Sequence, residues 1–394
     1  MKVPQLGHEI SENFREVFIR NRNLRLLFLA NVGFCLGTEL ILILSPLFIR
    51  NIGASVLELG LVLSIMGASA TVFTIPSGIL ADKFGRKHLI MASLILAAIS
   101  AFSFTLVDKW TLLILPMLLF GASLAINLPA FFALITDNSS KKNRAGIFGV
   151  MALGFPVGLA LGSSFGGVTI DNFGWNLTFY AVVIVVSLSI IPLVFINEEV
   201  TNNLTKVLKI DVDRGTVRFL ITCFFAAMVV SMSIGFVEPL LPLYLTEKFA
   251  ASKTMVGLFF TVTYLPFFSM AYTGTFADKF GRKKIMLLAF GSMAPLFIFS
   301  SMASEYIHLL LIYTTLYLFW SMSWPSLQAL LMDQTSTSIR GLATGIMLTG
   351  FRVGLTLGPI SGAYLWENFD PVTSFYASAA LVLIAIPLVL TLKE

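Results

Sequence analysis

The sequence predicts an all-α membrane protein: twelve transmembrane helices in two six-helix bundles related by pseudo-two-fold symmetry, with both termini cytoplasmic. Three observations predict it. Apolar residues make up 57% of the 394 and charged residues only 12%, where a soluble domain carries about 25% charged. Apolar runs of about 20 residues recur along the chain, each long enough to cross about 30 Å of hydrocarbon as a helix. The chain also repeats itself at an offset of 196 residues.

The apolar runs place spans at 24–49, 56–80, 89–107, 111–136, 145–167, 177–196, 217–245, 254–277, 285–303, 307–332, 341–365 and 374–392. Residues 1–23 form a cytoplasmic N-terminal segment. Its Ile10, Phe14, Val17 and Phe18 oppose Glu12, Arg15 and Arg20, a pattern that fits a helix on the membrane surface or a solvated arm. The first apolar run is too long, and its flank too charged, for a cleavable signal. The first bundle covers 24–196 and the second 217–394. The hydrophilic stretch 197–216, with Glu198, Glu199, Lys206, Lys209, Asp211, Asp213 and Arg214, is the cytoplasmic linker between them.

Basic residues set the orientation. Of the 26 Lys and Arg, 21 fall on the side of the termini and linker. Arg50, Lys109, Lys248 and Lys253 fall on the other side, and Arg352 lies inside a span. The positive-inside bias therefore puts the termini in the cytoplasm of a cell membrane. The net charge of +5 is topological in this setting and implies no nucleic-acid partner. Cys35 and Cys223 fall inside apolar spans, without metal-ligand spacing.

The repeat is marked by more than hydropathy. Ala81-Asp82-Lys83-Phe84-Gly85-Arg86-Lys87 recurs as Ala277-Asp278-Lys279-Phe280-Gly281-Arg282-Lys283. Pro129, Asp137, Arg144 and Gly149 map to Pro325, Asp333, Arg340 and Gly345. Gly158, Gly162 and Gly166 map to Gly354, Gly358 and Gly362. Six spans per copy make the copies parallel, related by an axis along the membrane normal, as in transporters whose halves rock about a midplane site. Gly85 is placed to reverse the chain tightly between long helices. Arg86 is in reach of Asp137, and Arg282 of Asp333; these pairs are expected to close the cytoplasmic side and to part when it opens, the alternative being that the charges only enforce orientation.

These motifs resemble the major facilitator superfamily over essentially the whole chain. The family carries G-x-L-a-D-r-x-G-r-k after its second span. Gly78, Leu80, Asp82, Gly85, Arg86 and Lys87 match it; Gly274, Asp278, Gly281, Arg282 and Lys283 match it again, departing at Phe276. The resemblance implies that Asp82 faces the N-terminal end of span 11, a favourable site for a carboxylate. Span 5 carries Gly158-x-x-x-Gly162-Ser163-x-x-Gly166-Gly167, similar to the G-x-x-x-G-P-x-x-G-G of proton-coupled drug exporters, with Ser163 replacing the Pro. Span 11 has the Pro form, Gly354-x-x-x-Gly358-Pro359-x-x-Gly362. Such ladders also serve plain helix packing through small residues. Exporters of this type often carry an Arg in span 4 where this chain has Met117, so a proton relay through that group is absent.

Ionisable groups inside spans are costly and are functional candidates by default. Glu39 lies about 22 Å into span 1 at 1.5 Å per residue, close to a polar face of Asn31, Cys35, Thr38 and Ser45. It is the candidate proton carrier, or a partner for a cationic substrate; a hydrogen-bonded structural role is the alternative. Glu238 in span 7 is a second candidate, or an external cap. Arg352 in span 11 suits an anionic group, an ion pair with Glu39 or Glu238, or a structural brace. The resemblance implies that spans 1, 4, 7 and 10 line the cavity, which would bring Asn127, Trp324 and Gln328 to the substrate; core packing is the alternative. No phosphate loop, metal-spaced His cluster or nucleophile triad occurs, so catalysis, metals and cofactors are not implied. The expected function is secondary transport by alternating access, in first place proton-coupled efflux of hydrophobic or amphipathic small molecules. The partners are the substrate, protons or another coupling ion, and lipid, with the monomer as the working unit. Exchange of a polar metabolite or organic anion, and a transporter-like sensor without turnover, are the alternatives.

Overall fold

A computed structural model describes residues 11–140, 143–198, 213–269, 279–336 and 339–392. All regular elements among these residues are helical. Several helices begin where the sequence supplies a cap for their unpaired N–H groups. Asn21 accepts the Leu24 N–H ahead of α1 (Arg22–Asn51). Ser55 and Glu58 form a reciprocal capping box ahead of α2 (Val56–Phe84). Gly85, at φ 87°, then turns the chain into α3 (Arg86–Phe104), and Gly281, at φ 94°, does the same ahead of the helix that starts at Arg282. A Cβ is strained at such a φ, so the repeated glycines meet the same backbone requirement twice.

The first set continues with α4 (Ile114–Asp137), α5 (Arg144–Ala152), α6 (Gly154–Leu188) and α7 (Ile190–Val194). The second set comprises α8 (Arg214–Val237), α9 (Leu241–Phe249), α10 (Lys253–Thr263), α11 (Arg282–Met302), α12 (Tyr306–Gln334), α13 (Arg340–Asn368) and α14 (Pro371–Thr391). Ten helical stretches among the described residues are long and apolar enough to cross a membrane. One of them, Gly146–Val194, has 49 residues, or about 73 Å of helix, more than twice a hydrocarbon core. Gly174, at φ 76° and ψ −177°, breaks it in the middle. After α10 a 3₁₀ turn, Leu265–Ser269, leads to the edge of the described residues. Asp278 and Gly274 lie outside them, as does the side chain of Asp82.

Packing repeats with the sequence. α1 lies along α6 as α8 lies along α13. The backbones approach closely at the glycine ladder, as small residues allow. A Cβ on Gly162 would stand 2.5 Å from the Leu36 carbonyl oxygen, and one on Gly358 would stand 2.6 Å from the Gly235 backbone. A Cβ on Gly158, Gly166, Gly354 or Gly362 would also come within 2.5 Å of a neighbour. Between the sets, α2 packs on α13 and α6 on α10.

The two ends of the bundle differ. At the end carrying Gly85 and Gly281, the linker end, Arg86 pairs with Asp137 and Arg282 with Asp333. The same guanidinium groups donate to Ala133 O at 3.1 Å and Ala329 O at 2.8 Å. Lys87 Nζ closes the carbonyls of Val194 and Ile196, and Lys283 Nζ those of Leu390 and Leu392. Each bond stays within one set. Each of these pairs thus joins neighbouring helices of one set. Among the described residues, hydrogen bonds that cross between the sets lie at mid-depth or toward the far end. Thr71 and Thr356 hydroxyls meet at 3.1 Å, and Ser164 and Thr261 at 2.6 Å. At the far end Asp171 accepts the N–H groups of Lys253 and Thr254, and Glu367 accepts the Leu57 N–H at 2.6 Å.

The N-terminal segment, described from residue 11, packs on this linker end. Val17 is fully buried, and Asn21 Nδ2 donates to Asn138 O at 3.0 Å.

Candidate functional site

A cavity of about 360 Å³ lies between the two sets. Its wall is mostly apolar, from Leu42, Leu63, Leu159, Ile234, Phe260 and Phe351 among others, and it holds two carboxyl groups, Glu39 and Glu238. Among the described residues no basic side chain lines it. Small-molecule sites have this form: an apolar wall with a few placed polar groups.

The carboxyl groups arrive by different routes. Glu39 sits inside α1 at 2% exposure, directly over Gly162 of α6, whose missing Cβ leaves the room. Glu238 is brought in where α8 gives way to the 3₁₀ turn Glu238–Leu240, at Pro239. Pro cannot supply the N–H that a continuing helix needs, so the chain breaks there and the carboxyl turns to the cavity. Each carboxyl takes a tyrosine hydroxyl. Tyr264 Oη, at the end of α10, donates to Glu39 Oε1 at 2.6 Å. Tyr317 Oη on α12 donates to Glu238 Oε1. The two tyrosine rings meet edge to face, with centroids 5.6 Å apart. Hydrogen bonds of this kind meet the requirement that a buried carboxyl be satisfied.

The remaining sequence candidates divide. Trp324 leans on Phe351, tilted at 4.6 Å between centroids, and stacks on Trp320 at 6.3 Å. Phe351 and Trp320 line the cavity, and Trp324 stands behind them. Asn127 is buried in the first set, where its Nδ2 donates to Ser93 Oγ at 2.9 Å, away from the cavity wall. Gln328 is partly buried on α12, beyond the wall. Arg352 lies on α13 one turn toward the linker end from Thr356; among the described residues it makes no ion pair, and neither cavity carboxyl meets it. Sequence reasoning missed Tyr264, Tyr317 and Tyr313. A tyrosine in an apolar run reads as packing, and only a carboxyl known to be opposite makes its hydroxyl meaningful.

The profile of the Major Facilitator Superfamily matches residues 27–219 and 223–394, nearly the whole chain. The chain belongs to the major facilitator superfamily. It is therefore a multi-pass cell-membrane transporter and not an enzyme. Quinolone resistance protein NorA of Staphylococcus aureus (strain COL) is 24% identical over 361 residues, covering 90% of each chain. Multidrug resistance protein MdtG of Proteus mirabilis is 25% identical over 373 residues, again covering 90% of each. Multidrug resistance protein 2 of Bacillus subtilis is 22% identical over 348 residues, covering 84% of this chain and 86% of that one. These relatives agree with the likeness to the drug:proton antiporter branch read from the span 5 and span 11 ladders. In fold, the chain is similar to a bacterial homologue of the human lysosomal transporter Spinster, captured inward-facing and occupied. The TM-score is 0.76 at 15% identity, covering 93% of this chain and 95% of that one. The nucleoside transporter NupG gives 0.78 at 15%, covering 95% and 100%.

Proposed function

We propose that this transporter is a proton-coupled exporter of hydrophobic or amphipathic small molecules, working by alternating access. It would have twelve spans in two six-helix bundles, 24–196 and 217–394, with both termini cytoplasmic. The break at Gly174 supports counting Gly146–Val194 as two spans, and the two profile matches meet close to the proposed boundary. The 21 basic residues at the linker end support its cytoplasmic placement. With the contacts between bundles concentrated toward the far end, the conformation reads as inward-facing.

The observation that carries the reading is the cavity itself. Its wall suits an apolar body, and its two carboxyl groups suit a proton or a cationic group on the substrate. Glu39 is the proton carrier in this reading, and Glu238 a second acidic contact. Purified protein in vesicles, loaded with a fluorescent amphipathic dye and given a pH gradient, provides the test. The wild type moves dye against its gradient. Glu39→Gln, which keeps the shape and removes the titration, is expected to lower gradient-driven transport at least tenfold. Wild-type transport in that variant would sink the proton role. An organic-anion reading rests on Arg352, a cation within a span that lacks an ion-pair partner among the described residues. Anion flux lost in Arg352→Ala but kept in Arg352→Lys would favour it. The cavity wall, which among the described residues carries two carboxyl groups and no basic side chain, weighs against it.

A further inference from the structure

We infer that Tyr264 is the positioning residue that enforces exchange, by letting the bundles move only when the Glu39 carboxylate has been neutralised or engaged. This rests on the reading of Glu39 as proton carrier and adds to it the device that prevents slip.

Glu39 belongs to α1 of the first bundle, and Tyr264 to the end of α10 in the second. Their bond, 2.6 Å from Oη to Oε1, crosses between the bundles with both side chains buried, at 2% and 5% exposure. Tyr264 is held for that bond. Its ring stacks on Phe267 at 5.8 Å and 15°, leans on Phe260 at 6.0 Å, and meets the edge of Tyr317. The hydroxyl has one hydrogen to give. Given to a carboxylate it makes a bond about twice as strong as one to a neutral group. Among the described residues, the titratable groups around Glu39 are Cys35 on its own helix, Tyr264 after α10, Tyr313 and Tyr317 of α12, and Glu238 after α8. No Lys, Arg or His among the cavity-lining residues competes for the carboxylate.

The consequence follows from what each occupant does to that bond. With Glu39 charged and the cavity empty, the bond ties α1 to α10, and the carrier is held in its present conformation. A proton delivered to Glu39 from the aqueous side neutralises the carboxylate and weakens the bond. A substrate that presents a donor or a cation to the same oxygen atoms replaces the bond. Either event frees the bundles; an empty, charged carrier stays put. A ligand shifts an equilibrium only through its different affinity for the two states, and the Tyr264–Glu39 bond supplies that difference at the site where proton and substrate arrive.

The experiment is Tyr264→Phe, which keeps the ring and its packing and removes the hydroxyl. Two fluxes are compared in the same vesicles: downhill dye leak without a pH gradient, and accumulation driven by a gradient. The expected result is a leak raised several-fold, accumulation lowered in step, and a leak that no longer slows as the pH is raised to charge Glu39. Unchanged leak and unchanged accumulation would overturn the inference. Tyr306→Phe, which removes a hydroxyl that donates to the Met255 carbonyl within the second bundle, away from the cavity wall, is expected to leave the leak low; an equal rise there would also overturn it. Glu39→Gln separates this failure from that of the functional reading. If Glu39→Gln keeps gradient-driven transport, the proton role itself is lost; if only Tyr264→Phe is silent, the proton role stands and the latch is lost.

Discussion

At the scale of single residues, identity is decided by what stands within a few ångströms. Gly362 and Gly345 both lie in α13, yet they carry different loads. A Cβ on Gly362 would stand 2.0 Å from the Phe236 carbonyl oxygen and 2.7 Å from its carbon, backbone atoms of α8 that cannot turn aside. A Cβ on Gly345 meets nothing within 4 Å. Overpacking of this kind costs about 1–3 kcal/mol, whereas Gly to Ala in an unobstructed helix gains up to about 1 kcal/mol. Gly362→Ala is therefore expected to lower the melting temperature of the detergent-purified protein by several degrees, and Gly345→Ala to leave it unchanged or raised. Equal effects would mean that the ladder is not a contact between helix backbones. The ladder was legible in the sequence because glycine spacing survives on a linear read. Tyr264 was not, because its meaning depends on Glu39, 225 positions away.

Among elements, the repeat discloses a device that local reading passed over. Asp171 ends the first part of α6 and accepts the N–H groups of Lys253 and Thr254, at the start of α10. Glu367 ends α13 and accepts the N–H of Leu57, at the start of α2. Asp171 maps to Glu367, and Leu57 to Lys253, at the offset of 196 that relates the copies. Each bundle thus lends a carboxylate to a helix start of the other, where unpaired N–H groups and the helix dipole both favour negative charge. Both carboxylates are partly solvated, so each bond contributes on the order of 1 kcal/mol. Removing both, as Asp171→Ala with Glu367→Ala, is expected to shift the balance toward a parted far end by about tenfold, the equivalent of about 1.4 kcal/mol. Spin labels on Asn51 and Asn368, with Cys35 and Cys223 replaced by Ser, would report this as a longer-distance population. An unchanged distance distribution would show that the caps do not hold that end. The offset was already in hand to find these residues. They escaped because Asp and Glu differ in letter, and because a loop carboxylate reads as ordinary solvation until its partner helix is known.

For the whole molecule, the question is which interactions can tell one conformation from another. The sequence pointed to Arg86–Asp137 and Arg282–Asp333, since they recur and sit at one end. In the structure they join α3 to α4, and α11 to α12, inside bundles that move as units in the proposed cycle. A contact of equal length in both global states contributes no differential free energy and cannot shift their balance. What differs between states must cross between bundles: the α2–α13 and α6–α10 seams, the far-end caps, and the Glu39–Tyr264 bond. Asp137→Ala is then expected to act on stability alone. The carboxylate is 47% exposed and its partner 26%, so the loss should be no more than about 1 kcal/mol, read as a small fall in melting temperature. Labels at Asn143 and Gly341, one on each bundle at the linker end, should keep their distance distribution. A shift toward shorter distances without loss of stability would return the pair to the role of a gate, and would mean that α3 and α4 separate within a bundle during transport.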